Sequence, residues 1–310
     1  MPAGMFRTAL ILGSICVTGP FAIDMYLPAL PAIEEALDVS VSAAQITLVA
    51  YFLAYGVSQL VYGPLSDQIG RKKTLAIGMS IFCVGAVICA VAPDIETLVL
   101  GRLVQGIGGA TVMVIPRAIV RDMYTGAQAT RLMSSIMLVI SVSPMLAPLA
   151  GSAVVAFGSW REIFLALAIL AAATLTMAQI ALPETLTADK RRKVNLGDLS
   201  RSCGILFRDP VFVGLTFIAG FGMASFFLFI SSASFVYTGQ FGLTPTEFSL
   251  AFAFNAVGFF IATQAAGRLA EMWGLATLIG RGVTGFAVCS AVLTGVVLAG
   301  FGTLPVLLIG

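Results

Sequence analysis

Histidine is absent from the 310 residues, charged residues make up only 10%, and tryptophan occurs twice. Without histidine, proton handling near neutral pH falls to carboxylates. So little charge cannot cover the surface of a water-soluble domain. Of the five cysteines, Cys16, Cys83, Cys89 and Cys289 lie in apolar runs and Cys203 in a polar stretch. None forms a CxxC pair or a metal-ligand spacing, which leaves them a packing role. There is no nucleophile and base pair, metal cluster or phosphate-binding loop, so the sequence predicts neither an enzyme nor a cofactor. The net charge is only +2, with no basic cluster interleaved with aromatics, so no nucleic-acid partner is expected.

What is abundant is apolar length: 59% of residues are hydrophobic and the mean hydropathy is +1.02. Such a chain reads as an all-α, polytopic membrane protein, at ~20 residues per crossing. Uninterrupted runs place spans near 8–30, 43–65, 74–92, 97–119, 131–154, 161–182, 211–236, 247–267 and 277–300, nine complete, with a tenth starting at Thr303. The first run follows Arg7 as a signal peptide would. It is too long for one, contains Asp24 and lacks a small-residue cleavage site, so it reads as a retained helix. Fifteen of the 17 Lys and Arg fall at the amino terminus or beside alternate loops: Arg7, Arg71 to Lys73, Arg117, Arg121, Arg131, Lys190 to Lys193, Arg201, Arg208, Arg268 and Arg281. The positive-inside rule makes those loops, and the amino terminus, cytoplasmic.

The longest polar stretch, Pro183 to Pro210, divides the chain into a six-helix bundle (1–182), a cytoplasmic linker (183–210) and an incomplete second bundle (211–310). Its basic run serves as a topology signal, with contact to acidic lipid as the alternative. Gly63, Leu65, Asp67 and Gly70 return as Gly267, Leu269, Glu271 and Gly274, each 204 residues later, as expected of duplicated bundles. By that offset the second bundle would stop short by roughly two and a half helices, as in a C-terminally truncated chain.

Asp24 is the only acid well inside a span, where a carboxylate costs ~2.5–3.5 kcal/mol. Pro20 and Pro28 stand four positions either side and should free the carbonyls of Cys16 and Asp24, making a polar niche. A carboxyl there can exchange a proton in competition with a polar or cationic solute, or can serve as a structural hydrogen-bonding group. On the fourth span Arg102, Gln105, Gly106 and Gly109 recur at helical spacing. Arg102 could pair with Asp24 or satisfy carbonyls of the broken first helix. Ser141, Pro144, Pro148 and Gly151 form one stripe of the fifth span, suited to bending and rocking or to close packing. The stretch from Gly63 to Lys73 reads as a loop in which Asp67, Gly70 and Arg71 form either a breakable charge latch toward the other bundle or an ordinary tight loop. Phe226, Phe229, Phe254 and Asn255 on the seventh and eighth spans, opposite Tyr26, Tyr51 and Tyr55, would line a broad apolar pocket unless they face lipid.

GPLSDQIGRKK at 63–73 and GRLVQGIGGA at 101–110 resemble the second-loop and fourth-helix motifs of the major facilitator superfamily. AIDMYLPALP in the first span, the proline-rich stretch from Ser141 to Gly151, and GSWREIF at 158–164 resemble its Bcr/CflA drug-resistance exporters. The resemblance implies the twelve-helix major facilitator fold, a monomer among membrane lipid in the bacterial inner membrane, and proton-coupled export of drug-like molecules such as bicyclomycin, chloramphenicol, florfenicol or sulfonamides. It makes Asp24 the proton-coupling acid, with Arg102 and Gln105 its partners. The second copy, GRLAEMWGLA, lacks the three-base run, so no second latch is expected. A proton-coupled importer and a non-transporting membrane sensor or assembly partner are the alternatives.

Overall fold

A computed structural model describes residues 3–191 and 204–309. Arg192, Lys193, Arg201 and Cys203, which the sequence places in the linker, lie outside the described residues. Among those described there are helices and no strands. Nine helical segments among the described residues are long and apolar enough to cross a membrane.

The helices are α1 (Ala3–Asp24), α2 (Leu30–Leu37), α3 (Val41–Ile69), α4 (Arg71–Ala90), α5 (Ile95–Gly109), α6 (Thr111–Met123), α7 (Gly126–Phe157), α8 (Trp160–Ala181), α9 (Pro210–Phe235), α10 (Pro245–Trp273), α11 (Leu275–Val296) and α12 (Leu304–Ile309). The first span combines α1, a short 3-10 turn at Leu27–Ala29, and α2; the fourth combines α5 and α6. Four helices are capped at one end of the molecule. Ser40 accepts from the Ala43 amide at 3.2 Å, Asp94 from Thr97 at 2.8 Å, and Ser159 with Glu162 and Thr244 with Glu247 form reciprocal capping boxes. Each cap satisfies amides that the first helical turn leaves unpaired. We call this the capped end; the other, carrying Arg7, Arg71, Lys72, Arg117 and Arg121, is the basic end.

The sequence repeat has a structural echo. α3 and α10 are each 29 residues, start 204 residues apart, begin at a hydroxyl N-cap, and end at a glycine with positive φ: Gly70 at +100° and Gly274 at +78°. The stretch 63–73 is accordingly no extended loop. Helix runs through Ile69, and only Gly70 breaks it, in a backbone region that suits glycine.

The core lies among the first six spans. α5 approaches α3 and α4 so closely that a methyl on Gly106 would strike the Tyr51 carbonyl, and one on Gly108 the Phe82 amide. Small residues permit that approach where lipid offers no hydrophobic drive for helix association. Burial in the last three spans is concentrated near the capped end, at Ile230, Ala233, Tyr237, Phe248 and Phe252. α11 buries none of its residues.

Candidate functional site

The centre of the first six spans holds a guanidinium with no exposure. Arg102 is 0% exposed, with its charge 4.7 Å from the Tyr26 ring centroid, 4.4 Å from Tyr51 and 5.9 Å from Phe164. Aromatic faces stabilise a cation without supplying an anion. Its Nη1 donates to the Gln105 Oε1 at 2.6 Å and to the Ala22 carbonyl at 3.0 Å. The first span explains the second bond. Helix α1 ends at Asp24, and a turn at Met25 and Tyr26 precedes Leu27–Ala29. Met25 still donates to Phe21 at 3.1 Å, and the Ala22 carbonyl is taken by Arg102. The break thus frees a different carbonyl for Arg102 from the two, of Cys16 and Asp24, that proline spacing singles out.

Asp24 sits at this break, 4% exposed. Among the described residues its carboxyl forms no hydrogen bond or ion pair, with Arg102 or with any other side chain. In the core that meets this break the surplus runs the other way. Arg102 Nε and Nη2, Gln105 Nε2 and the Tyr51 hydroxyl are buried without partners. Such unpaired donors are costly unless a partner arrives in another state or a water occupies the site. Gly151 of α7 packs against the Met25 carbonyl, so the stripe of the fifth span supports the break directly, and Ala147 and Pro148 are buried beside it.

The tyrosines proposed as a wall gather here. Tyr26 shares a hydrogen bond with Thr47 at 2.8 Å, and Tyr51 stacks on Tyr55 with centroids 5.7 Å apart. Tyr26 and Tyr51 are fully buried, so they are core rather than an open wall. Phe227 of α9 stacks on Phe52 of α3 at 4.0 Å, while Phe226 with Phe259 and Phe229 with Phe252, each at 6.0 Å, pair α9 with α10. Asn255 donates to the Tyr237 hydroxyl at 3.5 Å. Phe254, 61% exposed, joins none of these rings. Side-chain hydrogen bonds joining the first six spans to the last three are Gln45 to the Ser231 carbonyl (3.0 Å), Ser249 to the Pro148 carbonyl (2.9 Å) and Thr263 to Ser141 (3.4 Å). They run from the capped end to mid-depth. Among the described residues these bonds join the two sets of spans from the capped end inward.

At the basic end a charge cluster forms within the first six spans rather than toward the other half. Arg71 binds Asp67 at 2.6 Å and Asp122 at 2.8 Å. Glu184 accepts from the amides of Arg71 (2.9 Å) and Lys72 (3.2 Å), and Thr185 donates to Asp122 at 3.2 Å. Sequence reasoning did not single out Asp122 or Glu184. The signals were an acid beside Arg121 at a span end and an acid directly after Pro183 at the start of the polar stretch.

Comparison with known proteins agrees with this architecture. Residues 10–310 match the model of the Major Facilitator Superfamily. An uncharacterized MFS-type transporter, YdgK, of Bacillus subtilis is 35% identical over 86% of the chain and 67% of its own length. A chloramphenicol resistance protein of Pseudomonas aeruginosa is 31% identical over 93% of the chain and 68% of its length, and a bicyclomycin resistance protein homolog of Haemophilus influenzae 29% over 88% and 69%. The chain spans about two thirds of these relatives. The xylose transporter XylE from E. coli, in a partially occluded inward open conformation, superposes with a TM-score of 0.74 at 16% identity, covering 98% of this chain and 79% of that one. This chain belongs to the Major Facilitator Superfamily, among its Bcr/CflA-type transporters.

Proposed function

We propose that the protein exports drug-like solutes across a bacterial inner membrane in exchange for protons, by alternating access. The observation that carries this reading is the mismatch at the break of the first span: an unpaired interior acid, Asp24, and three unpaired nitrogen donors of Arg102 and Gln105, with Arg102 tied to the same break through the Ala22 carbonyl. A carboxyl that is neutral in one state needs no partner there. Once it gives up its proton, the donors of Arg102 and Gln105 are the groups able to hold the charge, so proton loss and a shift of the first span toward α5 favour each other. The basic end is the cytoplasmic one by its arginines and lysines. Contacts joining the two sets of spans toward the capped end then favour access from the cytoplasm, with cargo entering between half-buried Tyr55 and the phenylalanines of α9 while Tyr26 and Tyr51 lie buried behind it.

The stripe from Ser141 to Gly151, with two prolines, meets α10 through Ser249 and Thr263 and is the surface on which the halves would rock. Asp67, Gly70 and Arg71 would hold the cytoplasmic ends of the first six spans through that movement. An inward potential contributes ~2.3 kcal/mol per net charge per 100 mV. Chloramphenicol and bicyclomycin are the first probes, from the relatives' names. In energised inverted vesicles, drug accumulation driven by a pH gradient should occur with the parent chain and fail with Asp24→Asn. Gradient-driven accumulation unchanged in the variant would refute the assignment.

A further inference from the structure

At the basic end, where α6 hands over to α7, there is a cavity of about 440 Å³ that the transport reading leaves unused. Its wall combines Arg117, Arg121 and Tyr124 with Val120, Ala129 and Met133. Arg117 and Arg121 are one helical turn apart, so both guanidinium groups reach one space, and both residues are exposed. Among the described residues neither makes a hydrogen bond or an ion pair. The acid next in the chain, Asp122, is engaged elsewhere, with Arg71 and Thr185. Tyr124 turns its hydroxyl to Thr8 at 3.5 Å, which brings the start of α1, with the further exposed base Arg7, to the same rim.

The floor adds to the same sign of potential. α7, 32 residues long, begins here, and its N-cap residue Thr125 makes no side-chain cap. The first-turn amides and the positive end of the helix dipole are thus left facing the cavity mouth at Thr125 and Gly126. Two cations without a counter-ion, held apart by the helix and backed by an apolar wall, match a tetrahedral oxyanion carrying an apolar tail.

We propose that this cavity binds a phosphate group, with Arg117 and Arg121 as its paired donors. The shared chemistry is the phosphate oxyanion, whether it belongs to an acidic phospholipid headgroup or to a free ion. Occupancy would neutralise the two bases where α6 meets α7 and fix the short turn between them.

The test uses the purified 310-residue chain in neutral detergent. Thermal unfolding is followed while adding short-chain phosphatidylglycerol, short-chain phosphatidylcholine, or sodium phosphate against sodium chloride of equal ionic strength. The expected result is a saturable rise in midpoint with phosphatidylglycerol, phosphate or both, but not phosphatidylcholine. In the double variant Arg117→Gln with Arg121→Gln the apparent affinity should fall about tenfold or more, the scale of losing charge-assisted hydrogen bonds. Arg281→Gln, which removes one positive charge beside Trp273 in another part of the molecule, should leave it unchanged. Protection by phosphatidylglycerol alone identifies a lipid headgroup; equal protection by phosphate identifies the free ion. Equal affinity in the double variant, or an equal loss in Arg281→Gln, would overturn the site.

Discussion

Replacing Gly151 by alanine tests whether the fifth span holds the break of the first. A Cβ there would lie 2.8 Å from the Met25 carbonyl carbon and 3.1 Å from its Cα, and closer still to the carbonyl oxygen. All three are backbone atoms, so no side chain can swing away; α7 or the Met25 turn must retreat. Overpacking of this kind costs about 1–3 kcal/mol. Because Asp24 adjoins Met25, the retreat also shifts the position of its carboxyl within the break, so coupling should suffer more than fold. The control is Gly258→Ala on α10, where nothing stands within 4 Å. Midpoints of thermal unfolding in detergent and pH-driven drug accumulation in vesicles give the two readouts. Gly151→Ala should lower both and Gly258→Ala neither. Indistinguishable midpoints and accumulation for the two variants would show that the Met25 contact carries no constraint.

Arg102→Ala leaves the Ala22 carbonyl and Gln105 Oε1 buried without their donor, which should cost about 2–4 kcal/mol and appear as a lowered unfolding midpoint. Glu184→Gln keeps the shape but removes the charge that caps α4 through the Arg71 and Lys72 amides; about 1 kcal/mol should be lost, and less at high salt. Asp94 is held below the ordinary carboxylate range by the Thr97 amide and hydroxyl. Because folding lowers its pKa, its stabilisation is present above the unfolded value and disappears as pH falls through the lowered one. Asp94→Ala should therefore narrow the gap in midpoint between neutral and acid pH, as a pH series of melts would show.

The spans and the interior acid were legible because both rest on composition and length: a long apolar run admits few conformations in lipid, and a lone carboxylate within one stands out. Proline spacing marked the first span as irregular, but the break itself was not legible. It depends on Arg102 arriving from α5, 80 residues away, to take the Ala22 carbonyl. The direct pairing of Arg102 with Asp24 was one of two readings, and this conformation contains the other. Asp67 illustrates the same limit. Its local partner Arg71 lies four residues on in the sequence, while Asp122, from the end of α6, and Glu184, from the start of the linker, complete the cluster with Arg71. Helix through Ile69 also shortened the expected loop to a single glycine, because Pro64 is tolerated inside α3. Spacing did not fix which aromatics meet: Phe226 and Phe229 pair with Phe259 and Phe252 between α9 and α10, Phe254 stays exposed, and Tyr26 and Tyr51 are buried in the core.

Exchange of a proton on Asp24 against cargo can be read without any membrane gradient. Chloramphenicol or bicyclomycin is added to purified protein in unbuffered detergent solution containing a pH-sensitive dye, and proton release is recorded. The parent chain should release protons in proportion to drug bound, and Asp24→Asn should bind without release. Equal release from both would contradict the assignment of coupling to this carboxyl.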